Sequence, residues 1–344
     1  MTNRPRITVF SLGGTIASMP DDAGVAGAAG PTGVTPQLDA SDLLAAIPSV
    51  GEIADIEAVA FRQVASCELT LTDCVALATE IQTNLNAGAA GVVVAQGTDT
   101  IEETSFALDL LLDVSQPVVI TGAMRAPSKP GADGAANLLA AVRVAASDGA
   151  NGLGCVVVMN DEVHAARFVR KADTSSPAAF ASAGTGAIGW VVEGRPHIVV
   201  RPVRLEPHGL LDAVTMRGDA PIPRVALIKV GLGDDGALLK QIEPLGYAGL
   251  VVEAMGGGHV PSGIVAILDD LAGRMPVVLA SRAGAGEVLR VTYSYSGSEV
   301  DLLDRGLVRA GYLDGLKARI LLSLLLAAGS DSRAIAAALA HFSA

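Results

Sequence analysis

The chain has 344 residues, of which 50% are hydrophobic and only 3% aromatic, and its formal net charge is -12. That length favours two domains, because a single hydrophobic core rarely organises so many residues. The negative charge repels phosphate backbones and anionic bilayers, which argues against a nucleic-acid or membrane-surface partner. A core built from aliphatic side chains, with 39 glycines left for turns, is typical of an α/β protein.

The amino-terminal and cysteine patterns bear on the cellular setting and on cofactors. Residues 1–6 lead directly into a strand without an apolar targeting segment, and the apolar stretch 320–328 is shorter than the roughly 20 residues of a membrane span. Cys67, Cys74 and Cys155 have no C-x-x-C spacing, and the five histidines form no pair at helical spacing. We therefore expect a cytoplasmic protein without a metal or another cofactor.

The first predicted strand begins at Ile7 and runs to the turn Gly13-Gly14, which is followed by Thr15. Glycines let the backbone turn sharply and approach a ligand, and a parallel strand delivers such a turn to the crevice at its carboxyl end. Thr15 is therefore a candidate nucleophile, although a threonine here could equally cap the next element. The segment 19–36, rich in Gly, Ala, Asp and Pro, is predicted to be a mobile loop, either an active-site lid or a tolerated insertion.

Strands and helices then alternate along the chain as far as residue 159. The predicted elements are a helix over 42–47 capped by Ser41, a strand over 56–64, a helix over 72–85, a strand over 91–95, a helix opened by Glu102 and Glu103, a strand over 117–121, a helix over 134–146 and a strand over 155–159. Such alternation produces a parallel sheet with right-handed crossovers. The continuous apolar run over 91–95 indicates a strand covered on both faces.

A second α/β unit is predicted after a proline-rich, charged segment. Short strands over 167–171, 188–193 and 197–200 precede that segment, and we expect domains over 1–203 and 224–344 joined by a linker over 204–223. The second domain is predicted to contain strands over 225–230, 250–253 and 277–280 and helices over 262–271, 313–327 and 332–341. The predicted fold is thus a two-domain α/β fold, with a larger, mostly parallel N-terminal sheet covered by helices on both faces and a smaller C-terminal α/β domain.

Another strand-to-helix turn carries hydroxyl and carboxylate groups in the sequence Gly97-Thr98-Asp99. Turns at the carboxyl ends of strands in one sheet can meet, which would bring Thr15 and Thr98 together. A threonine hydroxyl is a poor nucleophile unless a base or a cationic partner assists it, and Asp99 with Lys171 could provide that partner. The alternatives are that Asp99 caps a helix and that Lys171 is an ordinary surface lysine.

These motifs, taken in order, resemble those of the bacterial-type L-asparaginases, the homotetrameric asparaginase/glutaminase family. The resemblance covers nearly the whole chain and is carried by LGGTIA at 12–17, QGTDTIEET at 96–104, TGAMR at 121–125 and VMND at 158–161 with the later Lys171. It implies hydrolysis of L-asparagine to L-aspartate and ammonia in a homo-oligomer, a dimer or a tetramer. It also implies that Thr15 attacks the side-chain amide, assisted by Thr98, Asp99 and Lys171, and that backbone N–H groups at the Thr98 turn stabilise the oxyanion.

The resemblance also implies a substrate-binding set. Ser66 would bind the α-carboxylate and Asp99 the α-amino group, a pairing that suits an amino acid. The remaining predicted contacts are Gly14, Cys67, Gly97, Thr98 and Ala123 in the chain itself, and Glu287 or Glu299, which compete for the role of a glutamate that the family takes from a neighbouring subunit.

Three departures from the family pattern are visible. Residues 19–37 contain no tyrosine, whereas secreted members place one in this lid, and Tyr293 or Tyr295 could substitute for it. Cys67 replaces a frequent glutamine, and Gly256-Gly257-Gly258-His259 replaces an asparagine-bearing turn. Three alternatives therefore stay open: an amidase for glutamine or another ω-amide, an aspartate-binding protein without turnover, and a phosphate or nucleotide binder, although both glycine-rich phosphate motifs are missing.

Overall fold

Two α/β units make up the structure, which is a computed structural model: residues Met1–Arg204 form the first unit and Leu205–Ala344 the second. The structure describes residues 4–20, 34–36, 40–45, 47–204, 208–218 and 220–343. Within these ranges, none of the helices has both the length and the apolar character that a membrane crossing requires. The predicted two-domain α/β fold is confirmed.

The first unit is built on an eight-stranded sheet. Its strands and helices are β1 (Arg6–Ser11), β2 (Ser18–Pro20), β3 (Val34–Pro36), α1 (Ala40–Ala45), α2 (Val50–Ile53), β4 (Asp55–Ala60), α3 (Leu71–Asn86), β5 (Gly91–Ala95), α4 (Ile101–Leu111), β6 (Val118–Thr121), α5 (Gly134–Ala145), β7 (Cys155–Met159), β8 (Glu162–Ala165), β9 (Val169–Lys171), β10 (Phe180–Ser182), β11 (Gly189–Val192) and β12 (Arg195–Ile198). The strand order is β12-β11-β8-β7-β6-β5-β1-β4, and the five strands from β7 to β4 are parallel. β2–β3 and β9–β10 form separate antiparallel pairs.

The central strands of this sheet are apolar because helices cover both faces. Every residue of β5, β6 and β7 is buried, as the continuous apolar runs predict. On the faces, α3 packs against α4 and α5 packs against α2. The start of α3 is fixed by a capping box, in which Thr70 accepts a hydrogen bond from the backbone N–H of Asp73 and the Asp73 carboxylate accepts one from the N–H of Thr70.

Several predicted element bounds in this unit are wrong. The strand predicted over 56–64 ends at Ala60, because the next N–H groups turn back to the end of β1: Phe61 donates to the carbonyl oxygen of Ser11, and Val64 donates to that of Leu12. The strand predicted over 167–171 is shorter and corresponds to β9 over Val169–Lys171, because the N–H of Phe168 closes a turn onto the carbonyl oxygen of Ala165 at the end of β8, a strand absent from the sequence prediction. The predicted mobile loop begins and ends in the paired strands β2 and β3, and its residues 21–33 lie outside the described residues.

The second unit has a four-stranded parallel sheet. Its elements are α6 (Leu211–Thr215), β13 (Val225–Lys229), β14 (Gly249–Ala254), α7 (Val265–Ala272), β15 (Val277–Ser281), α8 (Glu299–Asp304), β16 (Val308–Arg309), α9 (Gly315–Ala327) and α10 (Ser332–Ala340), with the strands in chain order. Helix α8 and strand β16 are absent from the sequence prediction. Helix α6 lies in the segment predicted as a linker, and Arg217, just after it, donates to the carbonyl oxygens of Leu326 and Ala327 at the end of α9.

Candidate active site

Two glycine turns touch each other at the carboxyl ends of neighbouring strands β1 and β5. Gly14 has φ 84° and ψ -172°, a conformation that is essentially restricted to glycine. A Cβ atom on Gly14 would lie 2.1 Å from the backbone nitrogen of Gly97 and 2.2 Å from its Cα atom. Only a residue without a side chain therefore allows the two turns to approach this closely.

Because of this contact, we expect Gly14→Ala to destabilise the fold by about 3–5 kcal/mol, the sum of a backbone strain and a steric clash. Gly152→Ala is the matched control, since Gly152 also has a positive φ, 75°, but a Cβ there meets nothing within 4 Å. The free energy of unfolding of the control variant should fall by only about 1 kcal/mol. Urea unfolding of both variants measures the difference, and equal losses would contradict a packed contact between the turns.

Ser66 joins these turns from a third segment. It begins a 3-10 helix over Ser66–Glu68, it is buried, and its Oγ atom would lie 2.8 Å from a Cβ atom on Gly97. The Thr100 hydroxyl donates a hydrogen bond of 3.1 Å to the carbonyl oxygen of Ser66, which ties this segment to the turn after β5. Gly14, Ser66 and Gly97, three predicted substrate contacts, are thus brought together.

Lys171 reaches the same turn from β9. Its Nζ atom lies 2.9 Å from the Thr98 hydroxyl oxygen and 2.5 Å from Asp99 Oδ1. The side chain of Lys171 is 15% exposed and that of Asp99 is 68% exposed, so a largely covered ammonium pairs with a carboxylate that still faces solvent. An ammonium that donates to a hydroxyl leaves the hydroxyl proton free for another acceptor, and the Asp99 carboxylate can still bind a second cation.

Thr15 directly follows Gly14 and begins a 3-10 helix over Thr15–Ala17. Its side chain is half-buried, whereas Ile16 and Ala17 are buried in the core. The turn is closed by two hydrogen bonds to the carbonyl oxygen of Gly14, one from the Ser18 hydroxyl at 2.8 Å and one from the N–H of Ala17 at 3.0 Å. This geometry fixes the backbone of Thr15 beside the contact between Gly14 and Gly97.

A fourth turn, after β6, contains Ala123 and packs under the Thr98 turn. A Cβ atom on Gly122 would lie 3.2 Å from Thr98 Cγ2, and Ala123 itself is fully buried. Two polar residues that the sequence analysis overlooked hold this turn: Asp133 accepts from the N–H groups of Met124 and Arg125, and Asn137 donates to the carbonyl oxygen of Gly122. Asp133 and Asn137 are four residues apart at the start of α5, and this spacing is the one sequence signal that could have indicated that both hold the same turn.

A cleft of about 320 Å³ opens beside Lys171. Its lining includes Asp99, Glu102, Lys171 and Asp173. Hydrogen bonds from the backbone N–H groups of Ser175 and Ser176 lower the pKa of the Asp173 carboxyl. The cleft thus presents negative charge around one ammonium, which suits a ligand that carries its own ammonium group. Nowhere in the described ranges do three or more His, Cys, Asp or Glu side chains form a group that could hold a metal ion.

The other predicted binding residues are Cys67 in the first unit and Glu287 and Glu299 in the second. Cys67 is exposed next to Ser66, and its Sγ atom lies 4.0 Å from Glu68 Oε1. Glu287 belongs to the second unit, where a carboxylate oxygen lies 3.6 Å from the guanidinium of Arg309. Glu299, also in the second unit, is fully buried as the first residue of α8.

Glu299 is the centre of a cluster with His259, Tyr293 and Tyr295. Its Oε1 atom accepts from the backbone N–H groups of Thr292 and Tyr293 at 2.8 and 2.7 Å, and its Oε2 atom lies 3.1 Å from His259 Nε2. The ring of His259 packs edge-on against both tyrosine rings, with centroids 5.0 and 5.6 Å away. Burial opposes ionisation of Glu299, but these hydrogen bonds outweigh it and lower the pKa of the carboxyl.

This lowered pKa makes the stability contribution of Glu299 depend on pH. The contribution is complete above the ordinary pKa of 4.5 and is lost as the pH falls through the lower folded-state pKa. We expect Glu299→Gln to lower the free energy of unfolding by about 2 kcal/mol at neutral pH. The difference in unfolding free energy between this variant and the wild type should become smaller as the pH falls towards about 4. Urea unfolding at both pH values checks this, with the exposed Glu57→Gln as the control for a lost surface charge, and a gap that stays constant would contradict it.

Comparison with known proteins identifies the two units. Residues 6–204 match the family model "Asparaginase, N-terminal", and residues 224–339 match the "Glutaminase/Asparaginase C-terminal domain". The chain is 32% identical to the L-asparaginase of Bacillus licheniformis, with 94% of this chain and 95% of the relative covered. It is also 32% identical to one component of the glutamyl-tRNA(Gln) amidotransferase of Methanosarcina acetivorans, where the match covers 90% of this chain and 70% of the relative.

A solved structure supports the same relationship. The probable cytoplasmic L-asparaginase of Campylobacter jejuni superimposes with a TM-score of 0.84 at 28% sequence identity, covering 98% of this chain and all of that one (100%). The family models cover both units, and the relatives match over most of their own length. The chain therefore belongs to the asparaginase family of enzymes.

Proposed function

We propose that this chain hydrolyses the side-chain amide of L-asparagine, with Thr15 as the nucleophile, and releases L-aspartate and ammonia. The observation that carries the proposal is the arrangement of Lys171, Thr98 and Asp99 on the turn that touches Gly14. Gly97, which precedes Thr98 and Asp99, touches Gly14, the residue before Thr15, and this contact supports the proposal. A threonine nucleophile needs assistance from such groups, because its hydroxyl does not ionise readily by itself.

The bound substrate would use the two charged ends of an amino acid. Its α-ammonium would pair with Asp99, in a cleft that Asp173 also makes negative, and its α-carboxylate would accept from the Ser66 hydroxyl and nearby backbone N–H groups. This orientation directs the side-chain amide towards the Gly14 turn. The lining of the cleft of about 320 Å³ includes Asp99 and Lys171 but neither Ser66 nor Thr15, so the cleft supports the proposed position of the ammonium end of the substrate.

The reaction would proceed in two halves. The Thr15 hydroxyl oxygen attacks the amide carbon and its proton passes to Thr98 Oγ1, while Thr98, held by the Lys171 ammonium, gives its own hydroxyl proton to the amide nitrogen, which leaves as ammonia; backbone N–H groups at the Thr98 turn stabilise the oxyanion. Water then attacks the aspartyl ester on Thr15, one water proton passes to Thr15 Oγ1 and restores its hydroxyl, and L-aspartate is released. Because Lys171 donates to Thr98 Oγ1, the hydroxyl proton of Thr98 is free to move towards the reacting atoms.

The experiment that tests this proposal is ammonia release by the purified chain. Initial rates are measured with L-asparagine, L-glutamine and other ω-amides in parallel, and L-aspartate binding is measured by calorimetry. We expect turnover of L-asparagine to exceed turnover of the other amides. One methylene in a pocket changes discrimination by only about 1–3 kcal/mol, so measurable glutamine turnover is compatible with the proposal. Preferred turnover of another ω-amide would reassign the substrate, and aspartate binding without any turnover would favour a binding protein.

The proposal also includes an oligomeric state, a cellular location and a linker. We propose a homo-oligomer in which Glu287 or Glu299 of a neighbouring chain completes the site and Tyr293 or Tyr295 takes the part of the missing lid tyrosine. We also propose a cytoplasmic location, supported by the name of the Campylobacter jejuni relative, and a linker over 204–223. Light scattering measures the oligomeric state, cell fractionation measures the location, and limited proteolysis within 204–223 measures the boundary.

A further inference from the structure

Lys171 is carried by a strand that does not belong to the large sheet. Strand β9 pairs with β10 in a two-stranded ribbon, with Lys171 opposite Phe180 and Val169 opposite Ser182. In the part of the chain that the structure describes, this ribbon shares no strand ladder with the eight-stranded sheet. The position of the Lys171 ammonium relative to Thr98 therefore depends on how the ribbon is attached.

The inner face of the ribbon is nearly dry. Directly opposed residues of an antiparallel pair lie on the same face, so Val169, Lys171, Phe180 and Ser182 point the same way. Val169 is fully buried, Phe180 is 4% exposed and Ser182 is 6% exposed. A polar hydroxyl in such a place needs a partner, because an unpaired buried polar group is costly.

That partner is His164 of strand β8. The Ser182 hydroxyl oxygen and His164 Nδ1 are 3.0 Å apart, and His164 is 1% exposed. β8 pairs with β7 in the eight-stranded sheet, where His164 lies opposite Val157. The hydrogen bond between Ser182 and His164 thus joins the ribbon that carries Lys171 to the sheet that carries the Thr98 turn.

The second ring nitrogen of His164 lies near a carboxylate. His164 Nε2 lies 3.2 Å from Glu162 Oε2, two residues back on the same face of β8. Burial lowers the pKa of His164, against the opposing effect of this carboxylate, so the ring is neutral near neutral pH. The hydrogen bond to Ser182 therefore holds the imidazole through Nδ1, and the Glu162 carboxylate lies close to its other nitrogen.

We propose that His164 is a positioning residue for Lys171: through its hydrogen bond to Ser182 it fixes the β9–β10 ribbon, and with it the distance from Lys171 Nζ to Thr98 and Asp99. The inference rests on the proposed hydrolysis for its kinetic effect, but its structural part does not. A displacement of about 1 Å in a reacting constellation can cost up to about a hundredfold in rate. Because His164 is only 1% exposed, we expect it to act through the ribbon and not on a ligand directly.

The test uses matched variants of the full-length chain. His164→Leu keeps the apolar volume but removes both ring nitrogens, whereas His164→Asn can present an amide near the position of Nδ1 and should restore function. Ser182→Ala removes the other partner of the hydrogen bond between His164 and Ser182 with a smaller change in volume. It therefore still tests the inference if His164→Leu folds poorly. We expect His164→Leu and Ser182→Ala to lower kcat for L-asparagine between about tenfold and a hundredfold, with KM little changed.

A second readout does not depend on turnover. Limited acetylation with acetic anhydride, followed by peptide mass spectrometry, reports the reactivity of Lys171 relative to the exposed Lys240 in the same digest. Release of Lys171 from Asp99 should raise this ratio several-fold in His164→Leu and return it towards the wild-type ratio in His164→Asn. In a Lys171→Met background, His164→Leu should lower the remaining activity no further, since two residues that act as one unit are not additive.

The outcomes separate the possibilities. A loss of unfolding stability in His164→Leu and Ser182→Ala, with kcat and Lys171 acetylation unchanged, would overturn the inference, because His164 would then be only structural. An equal loss of activity in the wild-type and Lys171→Met backgrounds would overturn it as well. If the wild-type chain released no ammonia, the proposed function would fail, and the acetylation ratio alone would still decide whether His164 positions Lys171.

Discussion

Thr15→Ala is expected to lower kcat for L-asparagine by about 10⁴-fold or more, because it removes the atom that forms the bond to the substrate. The backbone of the turn does not depend on the Thr15 side chain: the 3-10 helix is closed by hydrogen bonds from Ser18 and Ala17 to the carbonyl oxygen of Gly14. The unfolding free energy and the affinity for L-aspartate should therefore stay close to those of the wild type. Initial-rate kinetics, urea unfolding and calorimetry measure the three quantities.

Thr79→Ala provides the matched control for this substitution. Thr79 is exposed on α3, and its hydroxyl donates to the carbonyl oxygen of Val75 within the same helix. We expect this variant to retain the wild-type kcat. A Thr15→Ala protein that is folded and still turns over L-asparagine at the rate of Thr79→Ala would exclude Thr15 as the nucleophile.

Lys171→Met is expected to lower kcat by about 100-fold or more, since proton transfer by a positioned group commonly contributes at least that much. Methionine preserves most of the length of the side chain and removes the ammonium that contacts Thr98 at 2.9 Å and Asp99 at 2.5 Å. The substitution also leaves Asp99 without its cation. Because Asp99 would then be free to pair with the substrate ammonium, KM should fall or stay constant while kcat collapses.

Lys240→Met tests whether the effect belongs to this lysine. Lys240 is an exposed lysine of the second unit, and its replacement removes one positive charge from the same acidic chain. We expect wild-type kinetics in this variant. Equal losses in Lys171→Met and Lys240→Met would attribute the effect to net charge, and a Lys171→Met enzyme with normal kcat would remove Lys171 from the mechanism.

The sequence predicts the parts of the fold that are governed by local periodicity and turn chemistry. The alternation of apolar strands and helices from β5 to β7 is confirmed in the structure with few errors in element bounds. The glycine turns are also predictable, because only residues without a side chain allow two backbones to touch, and the sequence has glycine at both positions, 14 and 97. The family relationship predicted from the threonine motifs is also confirmed.

The elements that the sequence analysis missed are stabilised by tertiary contacts and not by a local pattern of residues. Strands β8 and β10 are only four and three residues long, and one contribution to the attachment of the β9–β10 ribbon is a buried hydrogen bond between His164 and Ser182, residues 18 positions apart. Asp133 and Asn137 read as ordinary polar residues of a helix until the turn at Gly122 is seen beside them. The periodic pattern of apolar residues in the sequence carries no information about such contacts.

Glu299 shows the same limit for the candidate site. Its position in the sequence suggested a carboxylate available to a ligand, but in its own unit it is buried and accepts hydrogen bonds from Thr292, Tyr293 and His259. The loop sequence over 283–299 has no periodicity that could indicate this. The role of Glu299 or Glu287 in a neighbouring site remains a prediction for the assembled protein.

The most direct test of the central claim is the identity of the residue that carries the acyl group during turnover. The chain is mixed rapidly with L-asparagine, quenched in acid within milliseconds, digested and analysed by mass spectrometry. We predict an aspartyl ester on the peptide that contains Thr15, and none on that peptide in Thr15→Ala. An ester on the peptide that contains Thr98, or steady turnover by Thr15→Ala, would contradict the account.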